Sequence, residues 1–150
     1  MEVYRLSREK YSNKLNASGV SNRWNFDKEF ILYSGSSRSL ATLELIVHRN
    51  AVQLAQPYKM MVISIADQDR LITQIRQADL PGNWRTVDAY SVLQEIGSDW
   101  YKNNRSLILK VPSAIIVKEY NYLINISHPD FKSRVRLARK EDYFWDERLF

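Results

Sequence analysis

Cysteine is missing altogether from these 150 residues, which removes disulfides, thiolate nucleophiles and cysteine-based zinc sites together and fits a reducing compartment. No stretch approaches the roughly 20 apolar residues that a membrane span needs, and the opening MEVYRLSREK lacks the apolar centre of a signal peptide. The expected location is therefore the cytoplasm. Repeats, linkers and low-complexity tracts are also absent, so no tail suited to gripping DNA is present. The chain carries no glycine-rich dinucleotide-binding turn, P-loop, kinase signature, Gly-x-Ser-x-Gly elbow or zinc motif. Its two histidines, His48 and His128, lie far apart without a third ligand at metal spacing, so no metal is expected.

What remains has the size and balance of one ordinary domain, with 45% hydrophobic and 26% charged residues. The net charge of +5 and the pI near 9.5 suit nucleic acid, a phosphorylated ligand or an acidic protein, and charge alone does not choose among them. The densest basic cluster, FKSRVRLARK at 131–140, is followed at once by acidic EDYFWDE. It reads as a solvated strand with neighbouring counter-charges, and no direct nucleic-acid contact is expected of it.

Alternation and β-rich composition predict strands over EVYRLS, EFILYSG, KMMVISI, SLILKVPSAIIV, YNYLINI and RVRLA. The fourth of these is broken by Pro112, which cannot donate to a ladder. A helix is predicted from about 38 to 50, entered through serines suited to an N-cap. A second is predicted around Leu93, Ile96 and Trp100, and a short helical pattern lies in QDRLITQIRQADLPGNW, stopped by Pro81 and Gly82. The polar stretch between the first two strands reads as loop or partly helical. These elements alternate irregularly, so the expected fold is a single mixed α+β domain over 1–150.

On the first helix Leu40, Leu43, Glu44 and Val47 fall on one face, the one expected to look inward. An ionised carboxylate there must pair, shift its pKa or line a polar cavity. Pairing with an arginine is the structural alternative to a functional role. Upstream, NRWN offers Arg23 flanked by Asn22, Trp24 and Asn25, and YRL offers Arg5; arginine's rigid fork suits phosphate oxygens, although either residue also fits a surface ion pair. Tyr33, at the end of the strand before the helix, fits the core or stacking on a flat ring. His48, one turn beyond Glu44, reads as structural or supporting. Ser113 in VPSA reads as a hydrogen-bond donor. The terminal YFWDERLF carries aromatics for docking or for capping the core.

In order, YRL, NRWN, ILYSGSSRSLATLELIVH, LPGNW, IGSDWYKNNRSLILKVPSAII, EYNYLINISHPDF and WDERLF resemble the RES domain along nearly the whole chain. That family is named for an arginine, a glutamate and a serine. The resemblance implies a fold similar to ADP-ribosyltransferase toxins and the toxin role in a bacterial toxin–antitoxin pair. It also implies an Xre-type helix-turn-helix antitoxin as partner, a homodimer within the complex, and consumption of NAD as substrate with no separate cofactor. By the same resemblance the family's arginine falls on Arg23, its glutamate on Glu44 and its serine on Ser113, with Ser127 as the other possibility; Arg5 and Tyr33 match the early arginine and the tyrosine before the helix. Ser21 and Asn22 replace the usual glycine pair, which restricts the backbone's approach to a pyrophosphate. NISHPD replaces the more frequent Asn-Pro-x-His-Pro.

The implied chemistry is cleavage of the nicotinamide–ribose bond by hydrolysis or phosphorolysis. Glu44 would face the oxocarbenium charge, Arg5 and Arg23 would hold the pyrophosphate, Tyr33 and Trp24 would contact the dinucleotide, and Ser113 would bond a hydroxyl or amide of it. Two alternatives stand beside this one: ADP-ribosyl transfer to a protein target, and a non-enzymatic module that binds through its basic surface.

Overall fold

The computed structural model describes residues 1–48 and 52–150. Its strands and helices in chain order are β1 (Glu2–Arg8), β2 (Ile31–Gly35), α1 (Arg38–Val47), β3 (Tyr58–Ile65), β4 (Ile72–Gln74), α2 (Tyr90–Lys102), β5 (Ile108–Pro112), β6 (Tyr120–Asn125), α3 (Phe131–Arg134) and β7 (Val135–Tyr143). The strands form one seven-stranded sheet in the order β4-β5-β6-β2-β1-β3-β7. Among the described residues only β4 and β5 pair in parallel; the other pairings are antiparallel. The mixed α+β expectation is met.

Local signals explain most of these elements. Ser37 is the N-cap of α1, its side chain accepting from the Leu40 N–H, as the serines before the helix foretold. β5 stops at Pro112, where the missing N–H ends the ladder. The long edge strand β7 carries much of the basic cluster, and part of its charge is answered: Arg139 pairs with Glu2 and Glu141, and Glu141 also pairs with Arg38 of α1. Such exposed pairs add little stability.

Three readings change. The helical pattern in 68–84 resolves into two single 3-10 turns, Asp69–Leu71 and Gln77–Asp79, around the short strand β4. Pairing with β5 takes up the backbone groups of Ile72, Thr73 and Gln74, and that tertiary gain outweighs a weak local helical preference. The inward face of α1 is rotated: Leu40 and Ala41 are buried while Val47 is 53% exposed, because Leu6, Ala41, Tyr58 and Met60 form the cluster on which Leu45 also packs. The helix runs to Val47 with His48 as C-cap; the remainder of the expected helix, 49–50, lies outside the described residues. The last strand extends beyond RVRLA to Tyr143.

The join between β1 and β2 positions the site. These strands meet at a single register pair, Tyr4 and Gly35, whereas β1 and β3 pair along their whole length. A gap therefore opens in the middle of the sheet beside α1. Gly35 lets the helix come close: a Cβ there would lie 3.1 Å from the Ala41 backbone nitrogen. At the far end of the chain, Trp145 packs edge-on against Tyr58, Tyr143 and Phe150, so part of the terminal aromatic segment caps the core, while Phe144 is 84% exposed.

Candidate active site

Beside the β1–β2 split lies a cavity of about 300 Å³ whose walls include Arg5, Arg23, Tyr33, Glu44, Tyr90 and Asn121. Each wall residue arrives on a different support. Arg5 comes from β1, Tyr33 from β2, Glu44 from α1 and Asn121 from β6, while Arg23 stands on the loop before β2. Among the described residues no ion pair joins Glu44 to either arginine, so the arginine-paired alternative for Glu44 is not the one adopted.

Instead the Asn121 amide nitrogen donates to Glu44 Oε1 at 2.6 Å. Partial burial raises the Glu44 carboxyl above its ordinary value; the Asn121 hydrogen bond and the charges of His48 and Arg23 oppose the rise without cancelling it. Arg5 is half-buried in the wall, where Nη1 donates to the Tyr33 carbonyl oxygen at 2.8 Å. Desolvation lowers its pKa from the ordinary arginine value, and no carboxylate pairs with it among the described residues. A partly desolvated cation without a counter-ion is a ready anion site, since an incoming anion supplies the missing charge.

Arg23 is half-buried at the cavity wall. Its guanidinium lies 4.8 Å from the centre of the Tyr90 ring, and Nη1 donates to the Trp84 carbonyl at 3.2 Å. The loop carrying it is a tight turn in which Asn22 and Asn25 exchange backbone hydrogen bonds. The Asn22 side chain also accepts from the Arg23 N–H at 2.8 Å. Asparagine supplies this bond and a glycine could not: the loop presents the Arg23 side chain, and this backbone N–H is already spent.

Tyr33 braces the same loop. Its hydroxyl donates to Asn25 Oδ1 at 2.7 Å and accepts from the Trp24 N–H at 3.1 Å, and burial pushes its pKa up. Its only proton is therefore committed, which leaves the ring as its contribution to the cavity. Trp24 is 2% exposed and packs with Trp84, Leu93 and Trp100, so its indole belongs to the core. Gly97 on α2 permits that packing, because a Cβ there would lie 1.8 Å from the Trp24 carbonyl oxygen. Glu29 adds a buried fastening: it accepts from the Ser98 hydroxyl at 2.5 Å and from the Phe26 N–H at 3.3 Å.

Neither serine lines the cavity. Ser113, read as a donor, is an acceptor: its hydroxyl oxygen takes the N–H groups of Ile115 and Ile116 at 3.0 Å each. It thereby shapes the turn whose Ala114 and Ile115 border the cavity. Ser127 bonds Tyr101 at 3.1 Å. His48 lines the cavity from the end of α1. The sequence reading missed Asn121 and Tyr90. Asn121 was legible only as one residue of an alternating strand, and what distinguishes it is its place in β6, paired with Gly35 of β2 and Val111 of β5.

Among the described residues no helix is long and apolar enough to cross a membrane. A chain of the crystal structure of the M. tuberculosis MbcT-MbcA toxin-antitoxin complex superposes with a TM-score of 0.75 at 17% identity, covering 95% of this chain and 84% of that one, so the two share a fold. A protein of Yersinia enterocolitica called toxin Res is 30% identical over 99% of both chains. The Prs ADP-ribosylating toxin of a Sphingobium strain is 37% identical over 85% of this chain and 79% of its own length. The RES domain model matches residues 2–146. With that match over nearly its whole length, the chain belongs to the RES domain family.

Proposed function

We propose that this RES domain is the toxin of a toxin–antitoxin pair and that it depletes NAD by cleaving the nicotinamide–ribose bond. The observation that carries the reading is a carboxylate, Glu44, sharing a cavity with two arginines without being locked to either. Pyrophosphate needs fixed positive charge, and an oxocarbenium-like ribose needs a negative one close by. Arg5 and Arg23 supply the first and Glu44 the second. A carboxylate about 4 Å from the developing charge, at an effective dielectric near 20, contributes roughly 4 kcal/mol, or about three decades of rate.

The Tyr33 ring packs against nicotinamide or ribose while its hydroxyl keeps the Arg23 loop in place. Ser113 acts through the turn it organises. As nicotinamide leaves, water or phosphate bonds to the freed ribose carbon. The relatives' names support the toxin role, and the solved complex of the same fold supports a protein antitoxin. That partner is an Xre-type helix-turn-helix protein meeting a toxin dimer in the cytoplasm. The domain acts without a metal or separate cofactor.

The test is chromatography of the products formed from NAD by purified, antitoxin-free protein, with and without phosphate. Free nicotinamide with ADP-ribose identifies hydrolysis, a phosphorylated ADP-ribose identifies phosphorolysis, and intact NAD under both conditions sinks the reading. A second reading, transfer of ADP-ribose to a protein, is favoured by the name of the Sphingobium relative. Labelled NAD incubated with lysate separates the two, because transfer leaves label on a protein band.

A further inference from the structure

Asn121 has an unusual hydrogen-bond inventory for a side chain in the middle of a sheet. Its backbone is fixed between β2 and β5, opposite Gly35 and Val111. Its amide nitrogen is spent on Glu44 Oε1 at 2.6 Å, and its Oδ1 is buried without a hydrogen-bond partner among the described residues. A buried amide that ties strand to helix for stability alone is expected to satisfy both ends, since an unpaired carbonyl oxygen carries a desolvation penalty. Here the one bond made goes to the carboxylate of the cavity, and no hydrogen bond to the second carboxylate oxygen, Oε2, is present among the described residues.

We propose that Asn121 is the positioning residue for Glu44: its amide, anchored on a central strand, holds Oε1 and leaves Oε2 free to act on a ligand. This rests on the NAD reading above for its catalytic consequence, but not for its physical one. An N–H donated to a carboxylate favours the ionised form. The other titratable or charged groups facing Glu44 across the cavity are Tyr4 and Arg5 from β1, Arg23 from the loop, Tyr33 from β2, His48 from its own helix and Tyr90 from α2. Burial opposes ionisation of Glu44, and Asn121 is the group in direct contact that counters it.

The experiment compares the wild type, Asn121→Ala and the near-isosteric Asn121→Asp, each with and without Glu44→Gln. The Glu44 carboxyl is followed by carbon NMR titration, and NAD turnover is measured across pH. In Asn121→Ala the Glu44 titration moves up. A rise of about one unit lowers activity about tenfold on the acid limb of the kcat profile, with KM changed far less. Asn121→Asp, which replaces the donor with a second carboxyl, moves the titration further in the same direction. In the Glu44→Gln background neither substitution lowers the residual rate further, because Asn121 acts through Glu44. An unmoved Glu44 titration in both variants overturns the proposal, as does an equal loss of rate with and without Glu44. If the wild type leaves NAD intact, the NAD reading fails while the titration still decides the role of Asn121.

Discussion

Arg5 reaches across the split between β1 and β2 and donates to the main-chain carbonyl of Tyr33 at 2.8 Å. One half-buried cation thus bridges two strands that share a single register pair and at the same time faces the cavity that holds Glu44.

Arg5→Met keeps the volume and removes the charge. Loss of charged hydrogen bonds, worth about 1.5–3 kcal/mol each, weakens NAD binding about 10- to 100-fold. The melting temperature changes little, because one hydrogen bond is lost while an unneutralised, partly desolvated cation is relieved. Calorimetric titration of NAD into the variant, in a Glu44→Gln background to prevent turnover, measures this. Unchanged affinity removes Arg5 from the phosphate site.

Glu44→Gln lowers NAD consumption by about three decades, the value of the carboxylate's charge at the reacting centre, and abolishes growth arrest. The Asn121 bond survives because the glutamine oxygen can accept it. A folded variant that still consumes NAD at the wild-type rate shows that another group carries the chemistry.

The same carboxyl links stability to pH. Burial raises its pKa in the folded state above the unfolded one, so the folded protein binds the extra proton between the two values. Stability from this group is therefore undiminished below the ordinary carboxylate value and falls as pH rises through the folded pKa. Glu44→Gln, which cannot ionise, is expected to melt above the wild type at pH 7 to 8. The gap closes as pH drops below the carboxylate range. Scanning calorimetry across pH checks the sign, and a gap that widens toward acid contradicts it.

Gly97→Ala drives a Cβ to 1.8 Å from the Trp24 carbonyl oxygen. Since the obstacle is backbone, no rotamer change relieves it, and α2 must part from the Arg23 loop at a cost of about 1–3 kcal/mol or more. Denaturant unfolding reads the loss, and NAD affinity falls with it.

Tyr33→Phe strips the loop of its brace, leaving the Trp24 N–H and Asn25 Oδ1 without the hydroxyl that joins them. The cost is about 1–3 kcal/mol of stability, with KM for NAD rising as Arg23 loses its fixed position. A rise in KM that Arg23→Ala makes no larger places both residues on one path.

The sites were legible to different depths. Glu44 announced itself as a charge at an apolar position, and α1 was readable because its cap and its period agree over ten residues. β4 was not, since three residues are too few to show an alternation and their strand conformation depends on β5. Ser113 stood out after the strand-breaking proline in VPSA, but which groups its hydroxyl bonds depends on the N–H groups that the turn brings to it. Asn121 gave no signal, because an asparagine in an alternating strand becomes notable only when a carboxylate is packed above it.

The sequence by itself determined the main strands, the entry to α1, the break at Pro112 and the presence of a carboxylate that needed a reason, because caps, prolines and side-chain periods act over a few neighbouring residues. Only the tertiary structure decided what Glu44 meets. The strand order places β1, β2 and β6 side by side although they are distant in the chain, and the single β1–β2 register pair leaves the gap between them. Through that arrangement Arg5 met a main-chain carbonyl in place of a carboxylate, Glu44 gained an asparagine in place of an arginine, and both came to face one cavity.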